Sequence, residues 1–192
     1  MKIAIIGKGN VGTSLGKGLS GKHKVKFGHR SPTEPVAEAA KWGEIIILAV
    51  PHGNADEAIN EIAPFTEGKI VIDVMNAVGP HGDLGIICTT STAEETQKKL
   101  PKARVVKAFN TVFASNQSTG KIGNEQLTAF MAGDDLKAKQ TVARLTRDIG
   151  FDSVDCGPLK AARYLEAMGV MIINLAYSYN MGVKIGYKLV RG

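Results

Sequence analysis

The five residues KIAII at 2–6 lead directly into GKGNVG at 7–12, after which Val11, Leu15 and Leu19 recur at four-residue spacing. Few architectures accept that order. The apolar run predicts a strand, the glycines a tight turn, and the spaced aliphatics a helix with one buried stripe. A strand turning sharply into a helix is the opening of a βαβ unit, and it aims the helix's free N–H groups past the strand end. Gly7 permits the turn, Gly9 lets backbone come close to a pyrophosphate, and Gly12 lets helix and strand pack tightly. The stretch Gly7, Gly9, Asn10, Val11 and Gly12 is thus a candidate diphosphate cradle. The bland alternative is a glycine-rich turn with no ligand.

The rest of the chain repeats the alternation. VKF (25–27), EIIILAV (44–50), KIVIDV (69–74), RVVKAF (104–109), QLTAFMA (126–132) and FDSVD (151–155) read as strands. EIIILAV is apolar nearly throughout, as a parallel strand covered on both faces should be. Between strands, Ser91 stands three residues before Glu94 in a capping-box pattern. Asp134 is the expected N-cap of a helix that Gly150 ends, so the paired acids Asp134 and Asp135 have a structural explanation. After Gly157 and Pro158 one long helical region is expected, broken or bent near Gly169 and Gly182, with Pro158 in its first turn. The predicted fold is α/β: a Rossmann-type, doubly wound, mainly parallel sheet over 1–155, then a short C-terminal helical segment over 156–192. The 17 uncharged residues at 167–183 contain Asn174, Ser178, Asn180 and two glycines. They fall short of the roughly 20 apolar residues a membrane span needs, and a buried helix is expected instead.

The second strand bears on cofactor choice. In NAD-binding sheets an Asp or Glu about 20 residues past the glycines accepts hydrogen bonds from the adenosine ribose. Here KFGHRSPTEP places His29, Arg30 and Ser31 at that point, and the first carboxylate of the chain is Glu34. A guanidinium pairs with a 2′-phosphate that an acid would repel, and the Ser31 hydroxyl can donate beside it. NADP(H) is therefore favoured over NAD, with His29 flanking the adenine; the alternative is an ordinary surface arginine. Ligands of such sheets bind beyond the strands' carboxyl ends. Ala49, Val50 and Pro51, with Asn76 and Ala77, are candidates for the nicotinamide half. His52, Asn110, Thr111 and Val112 stand where a second ligand would meet it, unless they are plain turn residues.

Several classes are disfavoured. Hydrophobic content of 44% and charged content of 22% are ordinary for a globular domain. The net charge is +6, and the first 33 residues hold seven Lys or Arg and no acid. An anionic cofactor or a solvated basic face accounts for this; no nucleic-acid platform or zinc finger is evident. His23, His29, His52 and His81 lack metal spacing, and Cys88 and Cys156 read as reduced thiols of a cytoplasmic protein, since the N-terminal apolar run is too short for a signal peptide. No GxSxG elbow or Walker lysine appears. Few acid–base groups remain, which suits hydride transfer between two flat rings held face to face.

KIAIIGKGNVG, FGHRS, IIILAVP, VVKAFNT, CGPLKAARYLEA and NMGVKIGYKL together resemble the coenzyme F420-dependent NADP oxidoreductases, over nearly the full length. The resemblance implies hydride exchange between NADPH and a deazaflavin, coenzyme F420, as the small-molecule redox acceptor. It implies Arg30 and Ser31 on the 2′-phosphate, Gly9 to Gly12 on the diphosphate, and Val50 and Pro51 beside the nicotinamide. Asn110, Thr111 and Val112, with the turn around Gly182, Ile185 and Gly186, would hold the deazaflavin. It also implies a homodimer in which C-terminal helices build that pocket. VVKAFN and EAM are similar to the oxidoreductase domain of STEAP metalloreductases too, where a flavin takes the electrons, although nothing here corresponds to their transmembrane haem domain. Phe113 replaces a family proline, so a flavin, a ferric chelate or an imine remains open as acceptor, as does a sensor that binds NADP without turnover.

Overall fold

The computed structural model describes residues 1–77 and 89–192, so His81 and Cys88 lie outside the described residues. The chain opens with β1 (Lys2–Ile6), α1 (Asn10–Ser20), β2 (Lys24–Gly28), α2 (Val36–Trp42) and β3 (Ile45–Leu48). It continues through α3 (Ala55–Ile62), β4 (Ile70–Asp73), α4 (Thr92–Lys99), β5 (Arg104–Ala108) and the short α5 (Ala114–Gln117). A hairpin of β6 (Lys121–Ile122) and β7 (Glu125–Gln126) precedes β8 (Thr128–Gly133), α6 (Leu136–Ile149), β9 (Asp152–Asp155) and α7 (Ala162–Tyr177).

Seven strands form one sheet in the order β2-β1-β3-β4-β5-β8-β9. The first five run parallel, β8 pairs antiparallel with β5, and β9 runs parallel to β8. This is the doubly wound, mainly parallel α/β fold the sequence predicts. Alternate residues of each strand serve opposite faces. Ile3, Ile5, Ile45 and Ile47 pack with Leu15, Leu19, Val142 and Leu145 of α1 and α6. Ala4, Ile6, Ile46 and Leu48 pack with Ala39, Ile59, Ile62 and Leu165 of α2, α3 and α7. Each such aliphatic contributes about 2 kcal/mol on burial, which fixes strand register firmly. At one edge, β2 carries Lys24 and Lys26. Edge lysines discourage pairing with another sheet, so part of the N-terminal basic excess has a structural use.

Three expectations need correction. Asp135, not Asp134, caps α6, accepting from the Ala138 N–H at 2.6 Å. Asp134 instead accepts from the Leu159 N–H at 2.8 Å, tying the turn after β8 to the start of the C-terminal region. No bend occurs at Gly169, where α7 runs uninterrupted. A Cβ there would lie 2.4 Å from Asn76 Oδ1, so this glycine serves close approach of helix and sheet. Lastly, the break expected near Gly182 comes at Tyr177, and helix does not resume within the segment expected to be helical to residue 192. Asn180 and Gly182 adopt positive φ, and the remaining chain is a strap. Thr128 N–H donates to Tyr187 O, Leu189 N–H to Thr128 Oγ1, and Tyr187 Oη to Met168 O. Those contacts hold the tail against β8, which helix would forfeit. Among the described residues no helix is long and apolar enough to cross a membrane.

Candidate functional site

Strand order reverses between β1 and β3, and the chain ends of these strands diverge into a crevice. The turn after β1 is held by Gly7 N–H on Gly28 O and by Ala49 N–H on Ile6 O, both 2.8 Å. Gly7 has φ +106°, and a Cβ on it would sit 2.2 Å from Ala49 O; one on Gly12 would sit 2.1 Å from Gly7 O. Both positions are closed to any side chain. Gly9 differs, since a Cβ there meets no protein atom within 4 Å. It is the N-cap of α1 and no side chain caps that helix. The first-turn N–H groups thus face open space, an arrangement that fits an anionic diphosphate.

Two clefts meet at this turn. The outer one, about 400 Å³, is lined by Gly7, Gly9, His29, Arg30, Val50 and Pro51 among others. The inner one, about 300 Å³, shares Gly9 and residues 49–51 and adds Asn10, Val11, His52, Val74, Met75 and Asn76. Combined, they have the size of a small-molecule site. In the outer cleft Arg30 donates to Glu57 Oε2 of α3 at 2.5 Å, and both side chains are largely exposed. Glu34 takes Lys8 Nζ at 2.6 Å and His29 Nε2 at 2.5 Å on the same oxygen. The Lys8 hydrogen bond, then that of His29, holds the Glu34 carboxyl below the usual carboxylate range. A carboxylate is therefore near the end of β2, but it is already paired. Ser31 Oγ meets Thr33 Oγ1 at 2.9 Å on the rim.

The remaining candidates sit deeper or elsewhere. Ala77 is buried. Asn76 and Asn110 exchange hydrogen bonds, Asn76 Nδ2 to Asn110 O and Asn110 Nδ2 to Asn76 Oδ1, each 2.9 Å. Asn110 Nδ2 also reaches Leu165 O of α7 at 2.7 Å. Asn110, Thr111 and Val112 are covered by the chain, yet Asn110 Oδ1 and Thr111 Oγ1 have no hydrogen-bond partner among the described residues. Phe109, just before them, holds φ at 64°, an uncommon conformation of the kind that clusters at ligand sites. Gln117 Nε2 braces it through Phe109 O and Val112 O. The tail comes within reach at Val183 O, which accepts from Asn116 Nδ2 at 3.2 Å and from Ser115 Oγ at 3.5 Å. Gly182, Ile185 and Gly186 line neither cleft. Gly186 lies against Leu127, where a Cβ would be 2.6 Å away.

Sequence reasoning missed a buried ionic cluster behind the inner cleft. Lys107 of β5, Asp73 of β4 and Glu166 of α7 are all fully buried. Lys107 Nζ lies 3.0 Å from Asp73 Oδ1, 2.8 Å from Glu166 Oε1 and 2.7 Å from Thr92 Oγ1, and it also donates to Met75 O. Thr92 N–H donates to both Glu166 oxygens, at 2.9 and 3.1 Å, and Thr96 Oγ1 to Asp73 Oδ2 at 3.1 Å. The signal was available: Asp73 in IVID and Lys107 in RVVKA are charges at positions of strands otherwise bound for the core.

Comparison with known proteins follows the same lines. The family model for coenzyme F420-dependent NADP oxidoreductases matches residues 31–77. The F420-dependent NADP reductase of Methanothermobacter marburgensis is 30% identical over 162 residues, covering 78% of this chain and 71% of that protein. The chain belongs to the F420-dependent NADP reductase family. It is accordingly an NADP-dependent oxidoreductase by class. A candidate F420-dependent NADP reductase from Arthrobacter sp. FB24 superposes with a TM-score of 0.92 at 28% identity, with both chains fully covered. The metalloreductase STEAP3 of Rattus norvegicus is 31% identical across 90% of this chain, but the chain spans only 37% of that relative's length.

Proposed function

We propose that this family member exchanges hydride between NADPH and a deazaflavin of the F420 type, directly from ring to ring. The observation that carries the reading is the lining of the inner cleft. Among the described residues its walls are backbone, Val11, Val50, Pro51, Val74, Met75 and two asparagines, with His52 as the lone titratable side chain. A carbonyl reduction needs a positioned proton donor; transfer between conjugated rings needs alignment and exclusion of water. NADPH would supply the hydride, and the accepting ring would take its proton from solvent. The chain's own part is to grip and orient. Gly9 to Gly12 would hold the diphosphate, Arg30 with Ser31 the 2′-phosphate, His29 the adenine edge, and Val50 and Pro51 one side of the nicotinamide.

Residues 1–155 would then form the dinucleotide unit, and 156–192 would complete the second-ring pocket. Tyr177, Tyr179 and Met181 are exposed, and Phe113 stacks edge-on against Tyr177 at 6.2 Å. An apolar face of that kind supports a homodimer built through α7 and the strap. Anaerobic mixing with NADPH and oxidised F420 should bleach the deazaflavin absorbance. The likeness to the rat metalloreductase over nearly the whole chain favours a flavin as second reading. FMN, FAD, ferric chelates and a cyclic imine therefore go into parallel cuvettes. Turnover with FMN or FAD but not F420 replaces the first reading by the second. Tight NADPH binding without oxidation by any acceptor leaves a sensor.

A further inference from the structure

We propose that the buried Lys107–Asp73–Glu166 cluster carries one net negative charge beneath the inner cleft, and so makes the protein hold NADP⁺ in preference to NADPH. The inference rests on the placement of the nicotinamide argued above. Two carboxylates share one ammonium, all at zero exposure. Among the described residues, no cation other than Lys107 contacts Asp73 or Glu166. Around the cluster Glu94 is paired with Arg163, Glu95 with Lys98 and Asp56 with Lys99. The carboxylates face hydrogen-bond donors. Met75 N–H donates to Asp73, Thr92 N–H to Glu166 and Lys107 to both, and these groups can only donate.

The cluster is coupled to the cleft through the backbone. Asp73 accepts from Met75 N–H at 2.9 Å, and Lys107 donates to Met75 O. Met75, with Val74 and Asn76, forms part of the inner wall. A charge fixed one residue behind that wall is poorly screened, because no water reaches it. The nicotinamide is cationic when oxidised and neutral when reduced. An uncompensated anion there favours the oxidised ring, and by linkage it makes bound NADPH a stronger hydride donor than the free cofactor. Glu166, Asp73 and Lys107 are positioning and tuning residues; none of them touches the cleft.

The test compares dissociation constants of NADP⁺ and NADPH by calorimetry for the wild type, Glu166→Gln and Asp73→Asn, with folding checked by thermal melts. Each single variant should raise Kd(NADP⁺)/Kd(NADPH) by about three- to tenfold, the scale of one partly screened charge. The change should persist at high salt, unlike any effect on the exposed phosphate contacts. The double variant Lys107→Met/Glu166→Gln keeps one net negative charge and should return the wild-type ratio. A ratio that stays put while both constants rise together means the cluster is purely structural, and overturns the proposal. Should the single variants not fold, the wild type decides, since NADP⁺ held more than tenfold weaker than NADPH contradicts the charge assigned. Binding of neither dinucleotide by the wild type would instead defeat the functional reading itself.

Discussion

The two ends of the crevice use charge in opposite ways. At the outer end Arg30 and Glu57 are 68% and 59% exposed, and Lys8 and Glu34 meet beside them. At the inner end Lys107, Asp73 and Glu166 have no exposure at all. Water and salt weaken the first set, so each member exchanges partners at little cost. On the function proposed, a phosphate arriving at Arg30 would have, among the described residues, the Glu57 carboxylate to displace. The buried set has no such freedom, because leaving one charge alone in the interior costs far more than the pair gains. On that proposal, recognition would fall to charges that can let go, and permanence falls to charges that cannot.

The largest expected effect breaks the inner set. Lys107→Met leaves two carboxylates facing each other without a cation. Stability in urea should fall by about 3–5 kcal/mol, the range for an orphaned buried charge. A loss under 1 kcal/mol would mean the carboxylates readily take up protons, and the contrast between the two ends would fail.

At the outer end the effect moves to binding. Arg30→Ala should weaken NADPH by about ten- to a hundredfold, the worth of one charge-assisted hydrogen bond to phosphate, with NADH affinity unchanged. Its urea midpoint should hardly shift, as for other exposed positions. In the same titration Glu57→Gln should tighten NADPH by a few-fold, because the guanidinium is then free to turn. Equal losses for NADPH and NADH in the arginine variant would place the 2′-phosphate elsewhere.

How legible each end was in the sequence follows from the same difference. The outer end is local. A strand, three glycines and an arginine fall within 30 residues, and turn chemistry with helix periodicity is enough to read them. The inner end is assembled from Asp73, Thr92, Lys107 and Glu166, spread over four elements and joined only by folding. A lone Lys in RVVKA and a lone Asp in IVID marked something buried and paired, but no spacing rule links them. The strap misled for a related reason. The helical segment expected over 156–192, with a break or bend near Gly182, stops at Tyr177, and tertiary bonds from Thr128 and Met168 hold residues 187 and 189 as a strap. Asp135 took the cap from Asp134 because the latter had Leu159 N–H to satisfy, a contact 25 residues away.

An ion pair of intermediate burial sharpens the comparison, and it carries the smallest effect. Glu94 and Arg163 join α4 to α7 with side chains 18% and 24% exposed, at 2.7 Å. The Arg163 hydrogen bond, followed among the favourable contacts by that from Ser91, lowers the Glu94 carboxyl below its ordinary 4.5. A depressed carboxyl contributes stability that is complete above the unfolded pKa and vanishes as pH falls through the folded one. Glu94→Gln should therefore cost about 1 kcal/mol in urea at pH 7, between the exposed and the buried cases. From pH 7 to 5 that gap should hold. Below pH 4.5 the wild type loses its advantage as Glu94 protonates, while the variant has no such charge to lose, so the two curves converge. A gap that stays constant down to pH 3 would show that the glutamate acts through packing and its hydrogen-bond geometry. Burial would then not be what grades these pairs from one end of the crevice to the other.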